Sequence, residues 1–338
     1  MQHPGQAIRL RSSARTNTGR VREINEDSIR LWEQGDQMVL AIVADGMGGA
    51  AAGEEASRIA VETIQLGLLG HPDGSSPTHY LQMNEYDLSS LIKEVIRSAN
   101  TDIVGHASDQ PELKGMGTTV TMALVRDTHV IVGHVGDSRA YIVSGKNGHI
   151  AQVTSDHSFV QALVAAGHIT EEEADTHPMK NVLYRALGQT SEIDVDIYYE
   201  QMHGGDWLVL CSDGLTLHVN PHEIAGLVTR YNDPAEISQQ LVDLANKRGG
   251  RDNVSVIVIK AEVVAASDDQ TLNTVEFDDE DDTLIGEQAP GYGSSETADP
   301  PSAHEGRSEN LANPEPPGVF SPPEHNNRHH PPHSDDKH

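Results

Sequence analysis

The stretch Met38–Gly49, MVLAIVADGMGG, carries the decision about the fold. From Met38 to Ala44 it is apolar without a break, which is the pattern of a strand covered on both faces. The run stops at Asp45-Gly46. Taken alone that dipeptide describes an ordinary turn, because Gly supplies positive φ without strain and Asp tolerates turns. The pattern recurs, however: Val130–Gly136 leads to Asp137, and Trp207–Ser212 leads to Asp213-Gly214. A fourth carboxylate, Asp252, stands before the apolar run Val254–Ile259. In an antiparallel sheet the end of one strand lies beside the start of its neighbour. These four carboxylates can therefore meet on one edge.

Four anions gathered near a core repel one another and lose hydration unless a cation sits among them. Oxygen ligands without His or Cys favour a hard ion such as Mg²⁺ or Mn²⁺. Upstream, GRVREINEDS (19–28) adds Glu26 and Asp27 together with Arg22. A regular strand would turn Glu26 and Asp27 to opposite faces, so if both serve one site the chain must bulge or turn there. The planar fork of Arg22 suits bidentate capture of a phosphate oxyanion, the complement of a metal cluster.

Around this constellation the chain mixes strands and helices without a βαβ rhythm. Strands are expected at 6–13, 27–33, 38–44, 118–126, 129–136, 139–144, 149–153, 193–200, 206–211 and 254–260, several joined by short turns that favour antiparallel pairing. Ala56, Ile59, Ala60, Thr63 and Ile64 share a helical face, as do Leu88, Leu91, Ile92, Val95 and Ala99. Helix starts with cap chemistry are read at Thr170 with Glu173, Asn220-Pro221 with Glu223, and Asp233-Pro234 with Glu236, and a further helix at Phe159–Ala165. The sum is an α+β sandwich.

Composition bounds the rest. The 338 residues carry 52 acidic and 23 basic side chains, a formal charge of −29, which argues against a nucleic-acid binder. Residues 261–338 hold 18 acidic and 3 basic residues and 10 of the 17 prolines. A body at 1–264 and a disordered acidic, Pro- and His-rich tail at 265–338 are expected, because such a tail buries too little apolar surface to offset its ordering entropy. Thr283 is a candidate phosphosite among acids, and the His-rich end lacks the spacing of a metal site. The single cysteine, Cys211, excludes an intramolecular disulfide and reads as strand packing. No apolar run reaches the roughly 20 residues of a membrane span, and no signal-like start is present, so a soluble, cytoplasmic protein is expected; a monomer is expected as well.

Eight ordered stretches, GRVREINEDS, VADGMGG, GMGTTV (115–120), HVGDSRAY (134–141), TSDHS (154–158), RALG (185–188), LCSDGL (210–215) and GRDNVSVIVI (250–259), resemble the motifs of the metal-dependent type 2C serine/threonine protein phosphatases, bacterial branch. The resemblance spans residues 8–260. It implies a four-layer sandwich, two stacked antiparallel sheets flanked by helix pairs, with a binuclear Mn²⁺/Mg²⁺ centre. By position, Asp45 would bridge both ions, Asp213 and Asp252 would hold one, and the Gly46 carbonyl with Glu26, through water, the other. Asp27 would order a metal-bound water, Arg22 would bind the substrate phosphate, and Asp137 would ligate a weaker third ion. The implied reaction is hydrolysis of phosphoserine and phosphothreonine by a metal-bridging hydroxide, in opposition to a cognate bacterial kinase.

Two departures stand out. Met47 replaces the histidine that eukaryotic members place two residues after the bridging Asp, where it is thought to protonate the leaving alkoxide; Met has no proton to give. Leu217 replaces the last Asp of a DGxxD pattern, and weaker third-ion binding is expected. Residues 156–192 would form the flap beside the site, expected to move and to bear on substrate choice, and His134 and His157 read as packing or turn residues. A dinucleotide-binding loop at 46–53 fails on spacing, since Ala51 stands where the third glycine is needed and Asp45 would oppose the pyrophosphate. A non-catalytic scaffold of the same family would have lost carboxylates that this chain keeps.

Overall fold

The computed structural model describes residues 7–70 and 83–264. The segment from residue 265, with Thr283 and the terminal histidines, lies outside the described residues.

One sheet runs in the order β1 (Ala7–Asn17), β11 (Val254–Val264), β10 (Trp207–Cys211), β7 (Arg139–Val143), β8 (Ile150–Gln152). The other runs β2 (Asp27–Gln34), β3 (Met38–Met47), β5 (Val120–Arg126), β6 (His129–Val135), β9 (Asp196–Gln201), with the short β4 (Gly117–Thr118) bridging the end of β3. Every pairing is antiparallel.

The unbroken apolar run of β3 is explained by what covers it. Val39, Ala41 and Val43 point between the sheets, where they meet Leu208 and Leu210 of β10 and Ile257 and Ile259 of β11. Met38, Leu40, Ile42 and Ala44 point the other way, into a core shared with α1 (Ala50–Leu69) and α2 (Glu85–Asp109). Trp207, Val209, Cys211, Val256 and Val258 face α6 (Pro221–Arg230) and α7 (Pro234–Lys247) on the opposite side. The result is the helix, sheet, sheet, helix stack that the strand patterning and resemblance implied. Each Leu or Ile buried in these layers contributes about 1.5–3 kcal/mol over leaving it in water.

The caps follow the sequence with one exception. Thr170 with Glu173, and Asn220 with Glu223, form complete capping boxes at α4 (Glu171–Thr176) and α6. Asp233 caps α7 through Ala235 and does not close a box with Glu236; its Oδ1 also accepts from Arg11 at 3.0 Å. The predicted helix at Phe159–Ala165 is present as α3. A single helical turn, α5 (Asp213–Thr216), has no periodic signal and was not expected.

Candidate metal centre

The antiparallel registers place the carboxylates. Cys211 pairs with Val256 across β10 and β11, so Asp213 leaves its strand where Asp252 enters the next. β3 and β6 both run antiparallel to β5, so Asp45 and Asp137 emerge at the same end. Asp27 is the cross-strand partner of Asp45. Glu26 precedes the regular part of β2; its N–H donates to Asn253 Oδ1 at 2.8 Å and its carbonyl accepts from Gly46 at 3.2 Å. Glu26 and Asp27 are both buried, and of the two only Glu26 lines the cleft, while Asp27 sits beside Asp45 without lining it.

Asp45, Asp137, Asp213 and Asp252 line one cleft of ≈ 380 Å³ together with Arg22, Glu26, Gly46 and Met47. Two glycines make the convergence possible. A Cβ on Gly46 would sit 2.1 Å from the Gly53 carbonyl oxygen, and one on Gly214 would sit 1.9 Å from that of Asn253. Any side chain at 214 would push Asp213 away from Asp252.

The backbone carbonyl of Asp45 accepts from Thr118 Oγ1 and Thr119 N–H, both at 2.9 Å, which fixes the residue while its carboxylate faces the cleft. Burial, then Asp27, Asp213, Asp137 and Asp252, hold that carboxyl well above the usual range. Burial and Asp213 push Asp137 up to about 8 against the pull of Arg139. Asp27 is pushed up to about 7 by burial, opposed by the nearby Ser255 and Ser212 hydroxyls, of which Ser212 is the one within hydrogen-bond distance. Asp213 stands at about 6, raised by burial and Asp252 and lowered by a hydrogen bond with Asp45. Glu26 is raised by burial, opposed by Arg22.

Such a set resists ionisation as it stands, and two of its oxygens, Glu26 Oε1 and Asp27 Oδ1, are buried with no hydrogen-bond partner. A divalent cation answers both conditions: it neutralises the charge and satisfies orphaned oxygens, and these all-oxygen donors fit a hard ion. Among the described residues no three His, Cys, Asp or Glu side chains form a finished ligand cage. Two of the carboxylates accept from nearby side-chain donors. Asp252 accepts from Arg22 Nη2 at 2.8 Å, and Asp27 accepts from Ser212 Oγ at 2.8 Å. Arg22 also reaches Glu26 at 3.4 Å while its side chain stays 46% exposed at the cleft mouth. In the sequence Arg22 stands close to Glu26 and Asp27, but its shortest carboxylate contact is Asp252, 230 residues away and beyond any local pattern.

The family model for protein phosphatase 2C matches residues 17–252. The chain belongs to the protein phosphatase 2C family. It is 35% identical over 254 residues to the serine/threonine phosphatase stp of Listeria monocytogenes, covering 75% of this chain and 97% of that one. The solved Streptococcus agalactiae serine/threonine phosphatase, 35% identical, superposes with a TM-score of 0.67 over 75% of this chain and all of the other. The catalytic domain of the phosphatase PstP, solved in complex with two manganese ions, is 34% identical with a TM-score of 0.63, over 76% of this chain and 100% of that one.

In this 2C-family chain the segment 156–192, expected above to form the flap, is tied together at its root. Phe159 N–H donates to the Val182 carbonyl at 2.7 Å and Tyr184 N–H to that of His157 at 2.9 Å, closing the loop that carries α3 and α4. Arg139 grips Asp156 through Nε and Nη2, the latter at 2.7 Å. His157 Nδ1 accepts from Gly136 N–H at 3.0 Å, so its Nε2–H is free to donate to Asp196 at 3.1 Å. His134 is likewise buried, between Thr121 and the Ser155 carbonyl. These histidines tie loops together and do not line the carboxylate cleft. Leu217, 40% exposed, borders an adjoining cleft of ≈ 290 Å³ with Asp137, Asp213 and Arg139. Cys211 is buried and its thiol is pushed up to about 12 by burial, which leaves it no nucleophilic character.

Proposed function

We propose that this 2C-family member is a metal-dependent protein phosphatase acting on phosphoserine and phosphothreonine, with two Mn²⁺ or Mg²⁺ ions in the carboxylate cleft. The observation that carries the reading is the meeting of Asp45, Asp137, Asp213 and Asp252 in one cleft with Arg22 at its mouth. Asp45 would bridge the two ions, Asp213 and Asp252 would hold one, and the Gly46 carbonyl and Glu26 would serve the other, with Asp27 behind them. Asp137 would take a third, weaker ion, and the apolar Leu217 beside it would leave that ion one polar partner short.

When bound, such ions supply a nucleophilic water at neutral pH and neutralise charge on the phosphoryl oxygens. The chain's own groups do the rest. Arg22, held by Asp252 and Glu26, presents a guanidinium to the substrate phosphate and can exchange a carboxylate oxygen for a phosphate oxygen. Cys211 is too deeply buried to attack, so no covalent phosphoenzyme on that thiol is required. Met47 lines the cleft without a transferable proton, so the proton for the leaving alkoxide has to come from another group, such as water. Asn181 and Leu183 of the flap line the cleft together with Ile24, and the rest of a protein substrate would lie against them.

A serine/threonine kinase would supply the substrates, with the phosphatase working as a monomer. Among the described residues no helix is long and apolar enough to cross a membrane. The direct test is Mn²⁺-dependent hydrolysis of p-nitrophenyl phosphate and of a phosphothreonine peptide. Asp45→Asn is expected to abolish both; a variant as active as wild type would overturn the reading.

A further inference from the structure

Asp27 is held by a closed ring of hydrogen bonds that the roles above leave unexplained. Its N–H donates to Asn25 Oδ1 at 3.3 Å. Asn25 Nδ2 donates to Thr16 Oγ1 at 2.8 Å, and Thr16 Oγ1 bonds Ser255 Oγ at 2.8 Å. Ser255 N–H donates to Ser212 Oγ at 3.0 Å, and Ser212 Oγ returns to Asp27 Oδ2 at 2.8 Å. Three strands, β1, β2 and β11, and the end of β10 contribute to the ring.

The direction of the last bond is fixed by elementary chemistry. A backbone N–H can only donate, so Ser212 Oγ accepts from Ser255 and its one proton goes to Asp27. The Ser212 N–H donates in turn to the Ser255 carbonyl at 3.0 Å, which leaves the hydroxyl little freedom to turn elsewhere. Both serines are fully buried, so no water competes. Asp27 Oδ2 is thereby committed to Ser212, and Oδ1, buried and without a partner, is the oxygen left for the site beside Asp45.

We propose that Ser212 is a positioning residue that aims Asp27 at the metal centre, with Ser255 and Thr16 as its support. The assignment rests on the reading of the cleft as a metal-dependent phosphatase site. Polar groups behind metal ligands orient them, and losing one lowers metal affinity or activity by about 10–100-fold.

The experiment is a double-mutant cycle on the full chain, comparing wild type, Ser212→Ala, Asp27→Ala and the double variant. Mn²⁺ binding is read by isothermal titration calorimetry, and hydrolysis of p-nitrophenyl phosphate is read alongside. Ser212→Ala is expected to weaken Mn²⁺ binding and lower kcat by roughly 10-fold while KM stays within about twofold. In the Asp27→Ala background the same change is expected to have no further effect. A full additional loss in that background, or a Ser212→Ala enzyme with wild-type affinity and kcat, would overturn the proposal. Should Ser212→Ala lose its circular dichroism spectrum, Ser212→Cys, which keeps the volume and weakens the donor, takes its place in the cycle. Failure of the underlying reading is seen separately, as Asp45→Asn binding Mn²⁺ and turning over like wild type, and it would take this proposal with it.

Discussion

At the scale of single residues, the cleft asks what becomes of the leaving group's proton. Met47 lines the site two positions after Asp45, where a thioether can neither donate nor store a proton at neutral pH. A histidine there would carry a transferable proton in the physiological range and could act as a general acid. Met47→His is therefore expected to add an acid-favoured limb to the pH profile of kcat, strongest for poor leaving groups such as a phosphoserine peptide. An unchanged profile would show that position 47 takes no part in proton transfer. Asp45, Asp137 and Asp213 were legible in the sequence because an apolar run stops at each, and Asp252 because one begins just after it, whereas Met47 stood out only against the motif of the resembled family. The donors that hold those carboxylates were not. Arg22 and Asp252 are 230 positions apart, and Ser212 and Asp27 are 185 apart, so no local pattern joins them.

At the scale of elements, the same contrast holds. The β3 run identified a doubly covered strand, and the capping boxes at α4 and α6 stood where Ser/Thr/Asn and Glu spacing put them. The flap's boundaries were read from motifs, but its anchoring to Arg139 and Asp196 depends on pairings that only the folded sheets create. Asp156 and Arg139 form the strongest of these anchors: their side chains are 8% and 28% exposed, and the contact is forked. Breaking a largely buried pair by neutralising one partner leaves the other charge desolvated. Asp156→Asn is expected to destabilise the protein by roughly 2–4 kcal/mol in urea denaturation. Amide exchange at Phe159 and Tyr184, whose bonds close the flap, should rise more than exchange in α1. Equal rises in both would mean that the pair supports the whole fold and has no special hold on the flap.

At the scale of the whole molecule, the concentration of acids at one sheet edge couples the fold to pH and to cations. Asp27, Asp213 and Asp137 have carboxyls pushed up to about 7, about 6 and about 8 in the folded chain, all by burial first, against an ordinary value of 3.8. A folded carboxyl with a raised pKa binds its proton more tightly than the unfolded one does. Its favourable contribution is fully present below the unfolded value and is lost as pH rises through the folded value. In the presence of EDTA, stability should therefore fall as pH rises from about 4 to about 8. Each kcal/mol corresponds to about 2–4 °C for a body of this size, so a drop in Tm of roughly 5 °C or more between pH 5 and pH 8 is expected. Millimolar Mn²⁺ should reverse the drop, because an ion that binds only the folded, ionised site stabilises that state in proportion to the logarithm of its concentration over Kd. The reversal should be strongest at pH 8, where protons no longer compete for the carboxylates, and should be missing in Asp45→Asn. A Tm that rises with pH in EDTA would show that these carboxyls are not held protonated by burial, and that the edge is more open to solvent than the packing of β3, β6 and β10 implies.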